Sequence, residues 1–136
     1  MNEHMPYLLL VDDDDDDRHF FLASLEKQYA DVKVMEATDG REATGFLACC
    51  PTFLLPGLIV LDYDMPFLNG ADMLLHLAPV QSLAAIPKVV WSHSNRHYRR
   101  CKALGAREYF VKPESTREMD AIITKMIRIM LAHDAR

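Results

Sequence analysis

LLLVDDDDDDRHFF, residues 8–21, joins four apolar residues to six consecutive aspartates and then returns to an apolar stretch. Adjacent like charges repel, and the repulsion grows as the local dielectric falls. A folded chain that keeps Asp12–Asp17 between two apolar segments must therefore offset that charge. Acidic tracts are commonly solvated tails. The apolar flanks on both sides argue instead for a strand that ends in a loop and opens a helix. Asp14 or Asp15 suits the cap of that helix and Asp15–Asp17 its first turn, where the helix dipole favours anions. A calcium loop beginning at Asp12 would need Gly at its sixth position and Glu at its twelfth, where this chain has Asp17 and Ala23.

Outward from this stretch the same order repeats. Tyr7–Val11 is the first strand, with a helical pattern established by Phe20, Phe21 and Leu25. Val32–Glu36 and then Arg41–Cys49 form a second strand and helix around Asp39-Gly40. Leu58–Leu61 precedes a helix from Ala71 to Leu77, and Lys88–Trp91 precedes one over Arg96–Leu104. Glu108–Val111 precedes the last helix, whose Met119, Ile122, Ile123, Met126, Ile127, Met130 and Leu131 trace one face. Ser115 or Thr116 suits its N-cap, with Glu118 in the first turn. Five largely apolar strands alternating with five helices predict an α/β protein, a doubly wound parallel sheet covered on both faces.

The chain has 136 residues, 50% of them hydrophobic, which suits a single domain over 1–136 with a core from about 7 to 131. The formal net charge is −5, and because the aspartate run contributes more than that, the remainder is nearly balanced. Broad adhesion to nucleic acid or to a membrane surface is therefore not expected, and no direct DNA binding. No apolar run approaches the roughly 18 residues of a membrane span, and MNEHMPY lacks the basic and apolar regions of a signal peptide, so a cytoplasmic location is expected. Cys49, Cys50 and Cys101 lack metal-type spacing and read as reduced thiols.

In sheets of this type, ligands sit beyond the carboxyl ends of the strands. Here those ends carry Asp12-Asp13, Asp62, Ser92 and Lys112. Carboxylates converging from two neighbouring strands would form a small oxygen-rich pocket suited to a hard cation such as Mg²⁺.

LLLVDDD, LIVLDYDMPFLNG, VVWSHS and YFVKP, in that order, resemble the receiver domain of two-component response regulators, the chemotaxis regulators being the simplest members. The likeness covers about Tyr7 to Leu131. It implies a flavodoxin-like sheet of strand order 2-1-3-4-5 and a phosphoacceptor switch that catalyses its own phosphorylation and dephosphorylation. By this resemblance Asp62, followed by Met65-Pro66 and Gly70, is the phosphoacceptor. Asp13 ligates Mg²⁺ (or Mn²⁺) directly and Asp12 through water, and the backbone carbonyl of Asp64 completes the metal shell with Asp62. Ser92 supplies the switch hydroxyl, Lys112 the ammonium, and Lys112-Pro113 a bond usually cis. Tyr109 matches the aromatic residue expected to turn inward as Ser92 shifts. The implied partners are a histidine kinase or phosphotransfer protein and a downstream protein target. Because only Ala132–Arg136 follow Leu131, a stand-alone regulator is expected.

The sequence also departs from the pattern. His93 follows Ser92 where small residues are usual, and with His97 it straddles a loop and a helix start rather than one helical turn. Asp64 and Ser94 occupy the two positions that tune phosphoryl lifetime in the family. Arg96, Arg99, Arg100 and Lys102 give the fourth helix a basic face, a solvated surface or a docking one. Two other functions compete. A haloacid dehalogenase-type phosphatase would use Asp62 as nucleophile and Asp64 as general acid, although Met65-Pro66 stands where that family has a hydroxyl. A receiver-like scaffold would bind without phosphorylation.

Overall fold

Leu8, Leu9, Leu10 and Val11 are all fully buried, which four consecutive residues achieve only in a strand covered on both faces. The computed structural model describes residues 6–134. In it β1 (Leu8–Val11) is flanked by β2 (Val34–Ala37) and β3 (Leu58–Asp62), with β4 (Lys88–Ser92) and β5 (Glu108–Val111) beyond β3. All pairings are parallel, in the order β2-β1-β3-β4-β5, the expected topology. The chain leaves β1 toward one side for β2 and toward the other for β3, so the order reverses at the C-terminal edge between β1 and β3.

Among the described residues six α-helices and a 3-10 turn (Thr52–Leu54) accompany the sheet, the α-helices being α1 (Asp15–Gln28), α2 (Gly40–Cys49), α3 (Gly70–Leu77), α4 (Gln81–Ala84), α5 (Tyr98–Ala103) and α6 (Thr116–Asp134). Alternate strand residues point to opposite faces, which divides the interior in two. Leu8, Leu10, Val60 and Trp91 pack with Phe21 of α1 and Met119, Ile123 and Met126 of α6. Leu9, Val11, Ile59 and Leu61 pack with Ala43 of α2, Met73 of α3 and Cys101 of α5. Phe21 meets Trp91 edge-on at 5.3 Å between ring centroids, the favoured geometry for two ring quadrupoles.

Polar side chains join α1 to α6. Asp120 accepts from Ser24 Oγ at 2.6 Å and from Lys27 Nζ at 2.7 Å, and its backbone carbonyl accepts from Gln28 Nε2 at 3.2 Å. Thr124 Oγ1 donates to Gln28 Oε1 at 3.2 Å.

The start of α1 at Asp15 agrees with the expected cap: the Asp14 side chain accepts from the Asp17 amide at 3.0 Å, with Asp15–Asp17 in the first turn. The structure corrects other boundaries. β2 lies at Val34–Ala37 rather than Val32–Glu36. It is an edge strand with Met35 and Glu36 exposed, so little alternation marks it. α5 begins at Tyr98 rather than Arg96. A sixth helix, the single turn α4, lies between α3 and β4, where buried Lys88 donates to the carbonyls of Ala84 and Ile86 at 3.1 and 2.9 Å. Every peptide bond among the described residues is trans, including Lys112-Pro113, where the resemblance implied cis. The cysteines are free thiols. Among the described residues no helix is long and apolar enough to cross a membrane.

Gly45 lies inside α2, and a Cβ added there meets nothing within 4 Å. Gly45→Ala is expected to stabilise the fold by about 0.5–1 kcal/mol, by limiting the unfolded chain without a clash. The check is a higher urea midpoint at unchanged slope.

Candidate functional site

Both acidic strand ends turn in the same way. Asp12 Oδ1 accepts from the Asp14 amide at 2.9 Å, and Asp62 Oδ1 from the Asp64 amide at 3.2 Å. Each is a carboxylate bonding the backbone two residues on, which bends the chain at the end of a strand. Buried Arg18 steadies this edge: Nη1 donates to the Asp12 carbonyl at 2.7 Å and Nε to Glu36 of β2 at 3.1 Å, while Nη2 pairs with Asp15. Gly70 permits the return of the β3–α3 loop, because a Cβ there would lie 3.0 Å from Tyr63 Cα.

Asp12, Asp13 and Asp62 each present one oxygen within 4.8 Å of the others. Asp12 and Asp62 are buried and Asp13 is exposed. Burial, and then the charge of Asp12, push the Asp62 carboxyl up to about 8 against the pull of Lys112 and the Asp64 amide. Asp12 is also raised, chiefly by burial. These groups resist ionising together, as like charges in a low dielectric must. Asp12 Oδ2 is moreover a buried oxygen without an aligned hydrogen-bond donor, although Lys112 Nζ lies 2.9 Å away. Three hard oxygen donors, one of them orphaned, fit a divalent cation of the Mg²⁺ or Mn²⁺ type.

Lys112 enters from the end of β5. Its Nζ is 2.9 Å from Asp12, 3.2 Å from Asp62 and 2.7 Å from Asp17. Burial alone would depress this lysine, but the hydrogen bond to Asp17 and the charges of Asp62 and Asp12 leave it raised. The ammonium also lies 4.9 Å from the Trp91 ring centroid, a favourable cation–π placement. Ser92, fully buried at the end of β4, donates to Asp64 Oδ2 at 3.3 Å. The Ser94 amide donates to Ser92 Oγ at 3.4 Å.

The remaining candidates separate. His93 is exposed, with Nε2 3.4 Å from Asp17, whereas His97 stacks on Tyr63 with centroids 3.6 Å apart. The two histidines thus face different neighbours and share no site. Tyr109 is already buried, donating its hydroxyl to the Ser94 carbonyl at 2.6 Å. Any rotation of Tyr109 would therefore have to break that bond. Arg96, Arg99 and Arg100 are exposed, while Lys102 donates to the Arg107 carbonyl at 2.9 Å.

Two features have no distinct signal in the sequence. Asp17 is one of six identical residues, and only the fold shows that it, rather than a neighbour, reaches Lys112. Phe67 has a positive φ of 70° and is 68% exposed, with the Arg41 guanidinium 3.7 Å from its ring centroid. A bulky residue in that backbone region is unfavourable in isolation, and aromatic character alone does not announce it.

Comparison with known proteins places these residues in context. The family profile of the response regulator receiver domain matches residues 8–124. The two-component response regulator ORR12 of Oryza sativa subsp. japonica is 31% identical over 87% of this chain and 95% of its own length. The sensor histidine kinase TmoS of Ectopseudomonas mendocina is 30% identical over 98% of this chain, which spans 13% of the kinase's length. The crystal structure of the phosphorylated cyanobacterial phytochrome response regulator RcpA superposes with a TM-score of 0.82, covering 94% of this chain and 95% of that one. At 23% identity the likeness to RcpA is one of fold.

Proposed function

The chain belongs to the response regulator receiver domain family, and from that membership we propose that Asp62 accepts a phosphoryl group from a phosphohistidine donor and thereby switches a protein-binding surface. Receiver domains of response regulators interact with histidine kinases or phosphotransfer proteins and bind a divalent metal at an acidic pocket. The observation that carries the proposal is the meeting of Asp12, Asp13 and Asp62 with Lys112 in one small pocket, from residues up to a hundred positions apart in sequence.

The chemistry is a displacement at phosphorus. An Asp62 carboxylate oxygen forms the new P–O bond as the P–N bond of phosphohistidine breaks. The electron pair of that bond stays on the departing imidazole, and the product is an acyl phosphate. Asp12, Asp13, Asp62 and the Asp64 carbonyl would hold Mg²⁺ or Mn²⁺. When bound, that ion supplies positive charge to the equatorial oxygens. Lys112 contributes its ammonium, and the Ser92 hydroxyl exchanges Asp64 for a phosphoryl oxygen. Because the Ser94 amide donates to Ser92 and the Tyr109 hydroxyl to the Ser94 carbonyl, movement of Ser92 would reach β5 through consecutive hydrogen bonds, and α5 through the edge-on contact of Tyr109 with Tyr98.

Incubation with a small phosphodonor, with and without Mg²⁺, followed by weighing of the intact protein, tests this reading. One phosphoryl group per chain, formed only with the divalent ion, is expected. Sustained turnover of a generic phosphate ester would instead support the phosphatase in which Asp64 acts as acid, and no labelling under any condition would support the unphosphorylated scaffold.

A further inference from the structure

We propose that Asp17 is a positioning residue that competes with the phosphorylated Asp62 for the Lys112 ammonium and so favours the resting state of the site. The inference rests on the phosphoacceptor reading of Asp62 and assigns regulation within that same site. Of the three carboxylates around Lys112, Asp17 is the nearest, at 2.7 Å, and forms an aligned hydrogen bond. Asp12 and Asp62 sit close but outside hydrogen-bond alignment with the ammonium. A charge-assisted hydrogen bond is markedly stronger than proximity of charge alone.

The needs of α1 do not explain this contact. Asp14 already caps the helix, and Asp15 and Asp16 already place negative charge in its first turn. Asp15, in the same turn, keeps its side chain 77% exposed even while it pairs with Arg18, whereas that of Asp17 is only 21% exposed. The same Asp17 oxygen is 3.4 Å from His93 Nε2, so one carboxylate draws together α1, the loop after β4 and the end of β5. A phosphoryl group on Asp62 would bring further negative charge and new acceptors. To face them, Lys112 must turn away from Asp17, and that loss opposes the phosphorylated state. Removing the Asp17 charge frees the ammonium.

The test titrates beryllofluoride, a phosphoryl mimic, against the full chain at saturating Mg²⁺, read by Trp91 fluorescence and by fluorine NMR. Asp17→Asn is expected to tighten binding by about tenfold, the scale of coupling between groups in one ionic network. Asp17→Glu keeps the charge and is expected to stay near the unaltered protein. Asp16→Asn removes the same charge from the same turn without touching Lys112, and is expected to change affinity by less than about twofold. Unchanged or weaker binding in Asp17→Asn overturns the proposal, and so does an equal gain in Asp16→Asn, which would assign the effect to general repulsion. Absence of any saturable binding to the unaltered protein overturns the phosphoacceptor reading and this inference with it.

Discussion

Asp62→Asn is expected to abolish covalent phosphoryl labelling, lowering its rate by about three orders of magnitude or more, the scale on which loss of a nucleophile acts. The substitution keeps the shape of the side chain and removes only its charge and its ability to attack phosphorus. Two neighbouring carboxylates are otherwise engaged. Asp12 is fully buried, with Oδ1 held by the Asp14 amide, and Asp64 is exposed, with its carboxylate turned to Ser92. Asp13→Asn, by contrast, retains the nucleophile and should show labelling that recovers as Mg²⁺ is raised. Intact mass after exposure to a phosphodonor reads both variants. Unaltered labelling of Asp62→Asn would move the acceptor role to another carboxylate and dissolve the residue assignments built around it.

The second large effect is a stability that depends on pH and on the divalent ion together. In the metal-free fold the Asp62 carboxyl is raised from 3.8 to about 8, so the native state keeps a proton that the unfolded chain releases near pH 4. The contribution is fully present below about pH 4 and is lost as pH rises toward 8. Thermal midpoints of the metal-free protein should therefore fall across that window more steeply than those of Asp62→Asn, which carries no such proton. Mg²⁺ reverses the trend because it binds the ionised carboxylate. At a hundred times its dissociation constant it adds about 2.7 kcal/mol, with an apparent affinity that increases toward pH 8. Equal slopes for the two proteins would mean that Asp62 is ionised throughout.

Much of this architecture is legible because the central strands are apolar without alternation. Leu8–Val11, Leu58–Leu61 and Lys88–Trp91 can be buried only between two layers, and each is followed at once by a polar residue that the parallel sheet must deliver to one edge. That rule brings the acids of β1 and β3 to one edge, and the strand order implied by the resemblance makes those two strands neighbours. The elements that are hard to read lie where packing decides and pattern does not. β2 is an edge strand with exposed Met35 and Glu36. The four residues of α4 are too few to show periodicity. The partner of Lys112 is illegible for a related reason: six adjacent aspartates carry the same chemistry, and only the pitch of α1 decides that Asp17 turns toward β5.

The cross-linking of α1 to α6 through Asp120, Ser24, Lys27 and Gln28 has a mechanical consequence. Those two helices and the sheet face beneath them are tied by both packing and polar side chains. α5 has six residues, with Cys101 alone buried, and is preceded by the loop that carries His93 and Ser94. The flank beside Ser92 is therefore tethered by fewer buried side chains than the one clamped by α1 and α6.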